Sequence, residues 1–253
     1  MNSFEIALIS FACMAMGSGI GWFVRRRLPG VHLASDSRDV VKLGAGLIAT
    51  QAALVVGLLV SSSKGSFDST NAGLTQIGAK VILLDHVLGR YGPEAGETRR
   101  NLRTTLSNGI DRIWPKHGTS AGGVSAAENS TEWAAIDDSI HRLSPQNETQ
   151  AQLRTQAIQI ISDLAQLRLV LLEQTHGSLP PVFLVVLIFW FTVLFTVFAL
   201  LTQFNPTVAA VLIVCAASIS GAIFLICEMS HPLQGAVQAS AAPLEAARDR
   251  IGR

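Results

Sequence analysis

The sequence predicts an all-α membrane protein, with four transmembrane helices in two hairpins around a helical extramembrane insert. Three observations carry this expectation. Of the 253 residues, 49% are hydrophobic and only 15% charged, against about 25% charged in soluble domains, and mean hydropathy is +0.40. Four apolar runs are each long enough to cross a bilayer core. Between the second and third lie heptad-spaced apolar positions, and no alternating strand pattern appears anywhere.

The first run, Phe4–Val24, has Glu5 as its only charge and is followed by Arg25-Arg26-Arg27. A secretory leader carries its positive charge ahead of a shorter apolar core. This order of charges therefore predicts a retained transmembrane helix. The second run spans Leu43–Val60, uncharged throughout, after Ser35-Asp36-Ser37-Arg38-Asp39. Those short acceptors suit a helix start. Asp36, Asp39 and Lys42 are read either as capping groups, the simpler account, or as a charged vestibule. Ala45, Ala49, Ala53 and Gly57 recur every four residues. Small residues at that spacing let membrane helices approach closely, so this stripe is read as a packing surface. On the opposite side lie Leu47, Gln51, Leu54 and Leu58, candidate pore-lining residues with one amide among leucines. Gln51, at membrane depth, needs a hydrogen-bond partner or water.

The third and fourth runs, Pro181–Gln203 and Thr207–Cys227, are joined by Phe204-Asn205-Pro206. Asn can cap the helix that Pro begins. The expected division is residues 1–61 for the first hairpin, 62–178 for the insert, 179–230 for the second hairpin and 231–253 for a tail. Within the insert, Leu74, Ile77, Val81, Leu84 and Leu88 form one 3-4 seam. Leu153, Ala157, Ile160, Leu164, Leu167 and Leu171 form another. The first seam continues the second membrane helix, with Ser61–Gly65 as the place for a kink. Further helices are expected over Glu94–Arg112 and Thr131–Leu143, with a loop at Lys116–Asn129 rich in Gly, Ser and Ala. The tail is amphipathic at most.

Chemistry-bearing groups are few. Glu228 and His231 lie about one helical turn apart at a membrane boundary, a possible ionisable site or a solvated pair. Asp85-His86 are adjacent and so face different ways on a helix, which argues against a metal. Cys13, Cys215 and Cys227 sit in apolar runs without ligand spacing. No phosphate loop, nucleophile elbow or zinc spacing appears, so neither an enzyme, a cofactor nor a metal is expected. A net charge of +1 without basic aromatic patches gives no sign of a nucleic-acid partner.

Several patches together resemble a family of bacterial membrane proteins described as bestrophin-like. They are Asp36-Ser37-Arg38-Asp39-Val40-Val41-Lys42-Leu43-Gly44 with Gly46–Thr50, then Leu83-Leu84-Asp85 and Tyr91-Gly92-Pro93-Glu94. Arg112-Ile113-Trp114-Pro115 and Glu228 with Pro232 complete the set. The resemblance implies kinship with bestrophins, pentameric ion channels with four membrane helices per subunit. It thereby implies a homo-oligomer of the bacterial inner membrane, with the lipid bilayer, other copies of the chain and permeant ions as partners. It favours anions, a preference that nothing in the residues themselves decides. Two departures limit the carry-over. No acidic run resembling a calcium clasp follows the fourth span, and no aromatic cluster marks the second. The other reading is a non-conducting scaffold or sensor whose insert binds a partner. Orientation is likewise two-sided. Arg25–Arg27, Arg38 and Lys42 place the first loop in the cytoplasm and the insert in the periplasm, whereas the resemblance implies a cytoplasmic insert.

Overall fold

A computed structural model describes residues 2–27, 35–114, 126–176, 180–233 and 235–252. The helices in chain order are α1 (Ser3–Arg27), α2 (Ser35–Tyr91), α3 (Gly96–Ile113), α4 (Ala126–His141), α5 (Glu148–His176), α6 (Pro181–Leu201), α7 (Pro206–Met229) and α8 (Ala242–Arg250). A short 3-10 turn, Pro93–Ala95, precedes α3. No strand occurs among the described residues, and α1, α2, α6 and α7 are long and apolar enough to span a membrane. The chain is an all-α protein of membrane type. It divides into two compact units, Met1–Ser66 with Ser178–His231 and Phe67–Gly177 with Pro232–Arg253. Helix α2 contributes to both. It runs unbroken through Ser61–Gly65, a stretch without the proline that would remove a backbone donor.

The first unit holds its helices together with small residues. A side chain on Gly17 would place Cβ 2.7 Å from the Thr192 carbonyl oxygen, and Gly21 meets the Thr196 carbonyl and Ala199. These two glycines, four apart on α1, bring its backbone against α6. Ser10 and Ser18, buried on α1, satisfy their hydroxyls by donating to the carbonyls of Ile6 and Met14. At the end of α6, Arg25 donates to the Leu200 carbonyl at 2.8 Å, satisfying one of the acceptors that every helix C-terminus leaves open. Asn205 accepts from the Thr207 amide at 3.1 Å, with Pro206 in the first turn of α7. The cap and first turn expected from Asn205-Pro206 therefore form, and α6 and α7 each pack against α1.

The second unit is built on the two seams. All five positions of the first, Leu74 to Leu88, are buried, and so are Leu153, Ala157, Ile160, Leu164 and Leu171 of the second, with Leu167 packed against the same core. Lys80 of α2 reaches Asp163 of α5 at 2.7 Å. Asp85 is buried and accepts from Arg99 Nε and Nη2 at 2.7 and 2.9 Å, tying α2 to α3. At the turn between them, Gly92 has φ +131°, a conformation side chains rarely adopt.

The tail packs more firmly than its composition promises. Leu244, Ala247 and Ile251 are buried in the same core. Trp114 Nε1 donates to the Ala239 carbonyl, the Ser240 amide to Asn71, and the Gly252 amide to Asp85 Oδ2. Asp85 thus joins three segments distant in sequence.

Leu164 is fully buried and Gln166 exposed. Leu164→Asp places a carboxylate in an apolar core, so the second unit melts at clearly lower temperature in that variant and near the wild-type value in Gln166→Asp. Equal melting temperatures would contradict the packing described.

Candidate functional site

Which face of α2 stays open in the first unit follows from which face is used. Ala52 and Leu59 enter a core with Leu187 of α6 and Ile223, Ile226 and Cys227 of α7, with Val55 and Val56 half-buried beside them. Ala45, seven residues before Ala52, is buried as well. The packed seam therefore has seven-residue spacing, which nearly keeps its heading on a helix.

A four-residue stripe does not keep its heading. Four residues turn about 400°, so each step drifts about 40°. Ala45 is accordingly buried and Ala49 half-buried, while Ala53 and Gly57 are exposed. The drift carries the small stripe from the packed side to the flank of the open one.

Leu47, Gln51, Leu54 and Leu58 fall within about 60° of one another by the same arithmetic. They stand on the side away from Ala52 and Leu59. The three leucines are 64%, 70% and 65% exposed, and Gln51 is exposed too. Ser61, Ser62 and Gly65, also exposed, follow on this side, so the face turns from apolar to polar toward the end of the unit. Exposed apolar side chains alone would mark nothing, since α6 and α7 also expose Val182, Phe189, Val211 and Val214. The amide is different. Among the described residues no hydrogen bond reaches the Gln51 side-chain amide, while its neighbour Thr50 satisfies its hydroxyl on the Gly46 carbonyl.

The other expected groups lie apart from this face. Lys42 donates to Asp39 at 3.1 Å, both exposed, and the side chain of Asp36 falls outside the described residues. Glu228 is buried at the end of α7 and His231 exposed beyond it. The His231 ring lies 3.1 Å from the Cys227 carbonyl and 3.2 Å from the Ser230 hydroxyl. Asp85 serves Arg99 and Gly252, whereas His86 is exposed. Among the described residues no three His, Cys, Asp or Glu side chains gather in a way that could hold a metal.

Sequence reasoning passed over Gly17 and Gly21, although Gly17-x-x-x-Gly21 is a small-residue motif of the kind sought on α2. It also missed the seven-residue spacing of Ala45, Ala52 and Leu59, because the alanine stripe drew the eye to four.

Compared with known families, residues 11–244 match the bestrophin-like family, described as Bestrophin-like domain. Comparison with curated proteins returns no match, and neither does comparison with solved structures.

Proposed function

The chain belongs to the bestrophin-like family, and on that footing we propose that it is a homo-oligomeric, pentameric ion channel of the bacterial inner membrane. In this reading the open face of α2 lines the axis, with Leu47, Leu54 and Leu58 as apolar rings and Gln51 as the one ring able to hydrogen-bond. The observation that carries it is the Gln51 side-chain amide, exposed on an apolar helix face without a partner among the described residues. In hydrocarbon, an unsatisfied amide costs several kcal/mol. Facing lipid is therefore the unfavourable placement, and water in a pore or the same residue of a neighbouring subunit is the favourable one. An axial helix meets both needs. Narrow apolar rings gate by excluding water, so the leucines supply closure and the amide a waystation for a partly dehydrated ion. Anion conduction is part of the proposal through family kinship.

Purified protein in planar bilayers under a chloride gradient tests this. The expected result is discrete current steps with a reversal potential that shifts toward chloride equilibrium, from particles whose mass equals five chains. A shift toward the cation equilibrium would overturn the selectivity. Silence under every ion and voltage, with the particle intact, would favour the scaffold reading.

A further inference from the structure

The open side of α2 does not stop at Gly65. About eighteen residues complete five helical turns, so Leu47, Gly65 and Leu83 share one heading along α2, and all three are exposed. Within the second unit the same side carries Ala72, Gln76, Ala79, Leu83, His86 and Arg90, each of them exposed. The buried seam from Leu74 to Leu88 stands on the opposite side, as Ala45, Ala52 and Leu59 do earlier in the helix. A helix of 57 residues thus keeps one side unpacked from Leu47 to its last turn.

Charge is distributed unevenly along that side. Asp85 is the one carboxylate of α2 after Asp68, and it lies on the packed side, serving Arg99 and the Gly252 amide. From Ser69 onward the open side therefore has no acidic group, and it ends on a cation. Lys42 pairs with Asp39 and Lys80 with Asp163, whereas Arg90 has neither an ion pair nor a hydrogen bond from its side chain among the described residues. An exposed arginine alone marks nothing, since most arginines are solvated. Its register singles this one out. Between Leu47 and the end of α2, Arg90 is the only formal charge within about 40° of the shared heading.

We propose that Arg90 draws anions to the mouth of the pore, with one guanidinium from each copy of the chain around the axis. This rests on conduction along α2 and adds the group that sets the sign of the ion. Rings of arginine or lysine favour anions in pores, and a passage lined by one sign of charge raises the local concentration of the opposite ion about tenfold or more. Arg90 lies about 60 Å along the helix from Gln51 at the usual rise per residue. It acts on ions as they enter and not on the amide ring.

Single channels of the wild type and of variants with wild-type oligomeric mass are recorded in about 0.01 M and about 1 M potassium chloride, where a fixed charge reaches about 30 Å and about 3 Å. Arg90→Gln lowers chloride conductance about tenfold in the dilute salt and less than about twofold in the concentrated one. Arg90→Glu moves the reversal potential under a potassium chloride gradient toward the cation equilibrium, and Arg90→Lys, which keeps the charge, behaves as wild type. Arg100, exposed on α3, is the control for charge alone, and Arg100→Glu leaves both readouts unchanged. Wild-type conductance and reversal potential in Arg90→Gln and Arg90→Glu, or an equal effect from Arg100→Glu, would overturn the proposal while leaving conduction along α2 standing. Loss of the oligomer in every Arg90 variant would make Arg90 a packing group and overturn it as well. A wild type silent in both salts would overturn conduction itself, and this proposal with it.

Discussion

Replacing Leu54 and Leu58 together by alanine is expected to raise single-channel conductance or open probability several-fold. Both side chains project from the open face of α2 and are about two-thirds exposed within the subunit. Truncation there leaves no internal cavity, so the usual cost of a buried leucine-to-alanine change, about 2–5 kcal/mol, does not apply. In the proposed pore, what changes is the width and wetting of the leucine rings, and apolar constrictions close by expelling water. Gln51→Leu is expected to work in the opposite direction, removing the polar group among the leucines and lowering current without disturbing assembly. Single-channel recording of variants first shown to keep wild-type oligomeric mass measures both. If the double variant loses its oligomer, the leucines are packing groups and not a gate. If currents match wild type in both variants, the pore lies on another face.

A comparably large effect is expected from Asp85→Ala, this time on stability. Asp85 is buried, receives two hydrogen bonds from Arg99 and a third from the Gly252 amide. Its removal leaves the Arg99 guanidinium, about a quarter exposed, without its counter-charge, and frees the end of the tail. Breaking one side of a fully buried ion pair costs about 3–5 kcal/mol, an upper bound for this part-buried pair. Asp163→Ala provides the contrast, because the Asp163 carboxylate is 43% exposed against 9% for Asp85, and solvent-exposed pairs contribute about 0–1 kcal/mol. Hydrogen exchange of α3 and α8 reports the difference. Fast exchange of both helices in Asp85→Ala, and near wild-type exchange in Asp163→Ala, is the expected pattern. Equal protection in the two variants would remove Asp85 from its joining role.

Much of the fold was legible because it is local. Asn205-Pro206 encodes a cap and a first helical turn in adjacent residues, and the structure realises both. The seams announce themselves through 3-4 spacing, and their burial follows from it. Only the ends drift. Helix α3 starts at Gly96 rather than Glu94 because Pro93–Ala95 takes a 3-10 turn, and α4 starts at Ala126, inside the expected loop. The docking of the tail was not legible. Its anchor joins Asp85 to Gly252 across 167 residues, and nothing in the spacing of Leu244, Ala247 and Ile251 says which surface they cover.

The open face was half legible. A lone amide among leucines stands out in any reading of α2, and the helical arithmetic puts Leu47, Gln51, Leu54 and Leu58 together. That this face is left free within the subunit depends on Ala52 and Leu59 meeting α6 and α7, which is tertiary information. The drift of the small stripe follows from helical geometry alone. It leaves Ala53 and Gly57 exposed beside the leucines, where another copy of the chain could approach closely.

The central claim, that the open face of α2 lines an aqueous pore, is tested most directly at Gln51. Gln51→Cys in planar bilayers, exposed to a charged, water-borne thiol reagent, should lose most of its current within the exposure, because the reagent reaches the cysteine through water and obstructs the proposed pore there. The native cysteines are controlled by the same exposure of the wild type. Full current after exposure, with mass spectrometry showing Gln51→Cys unmodified at that position, would contradict the account and place Gln51 in lipid or in a dry contact between helices.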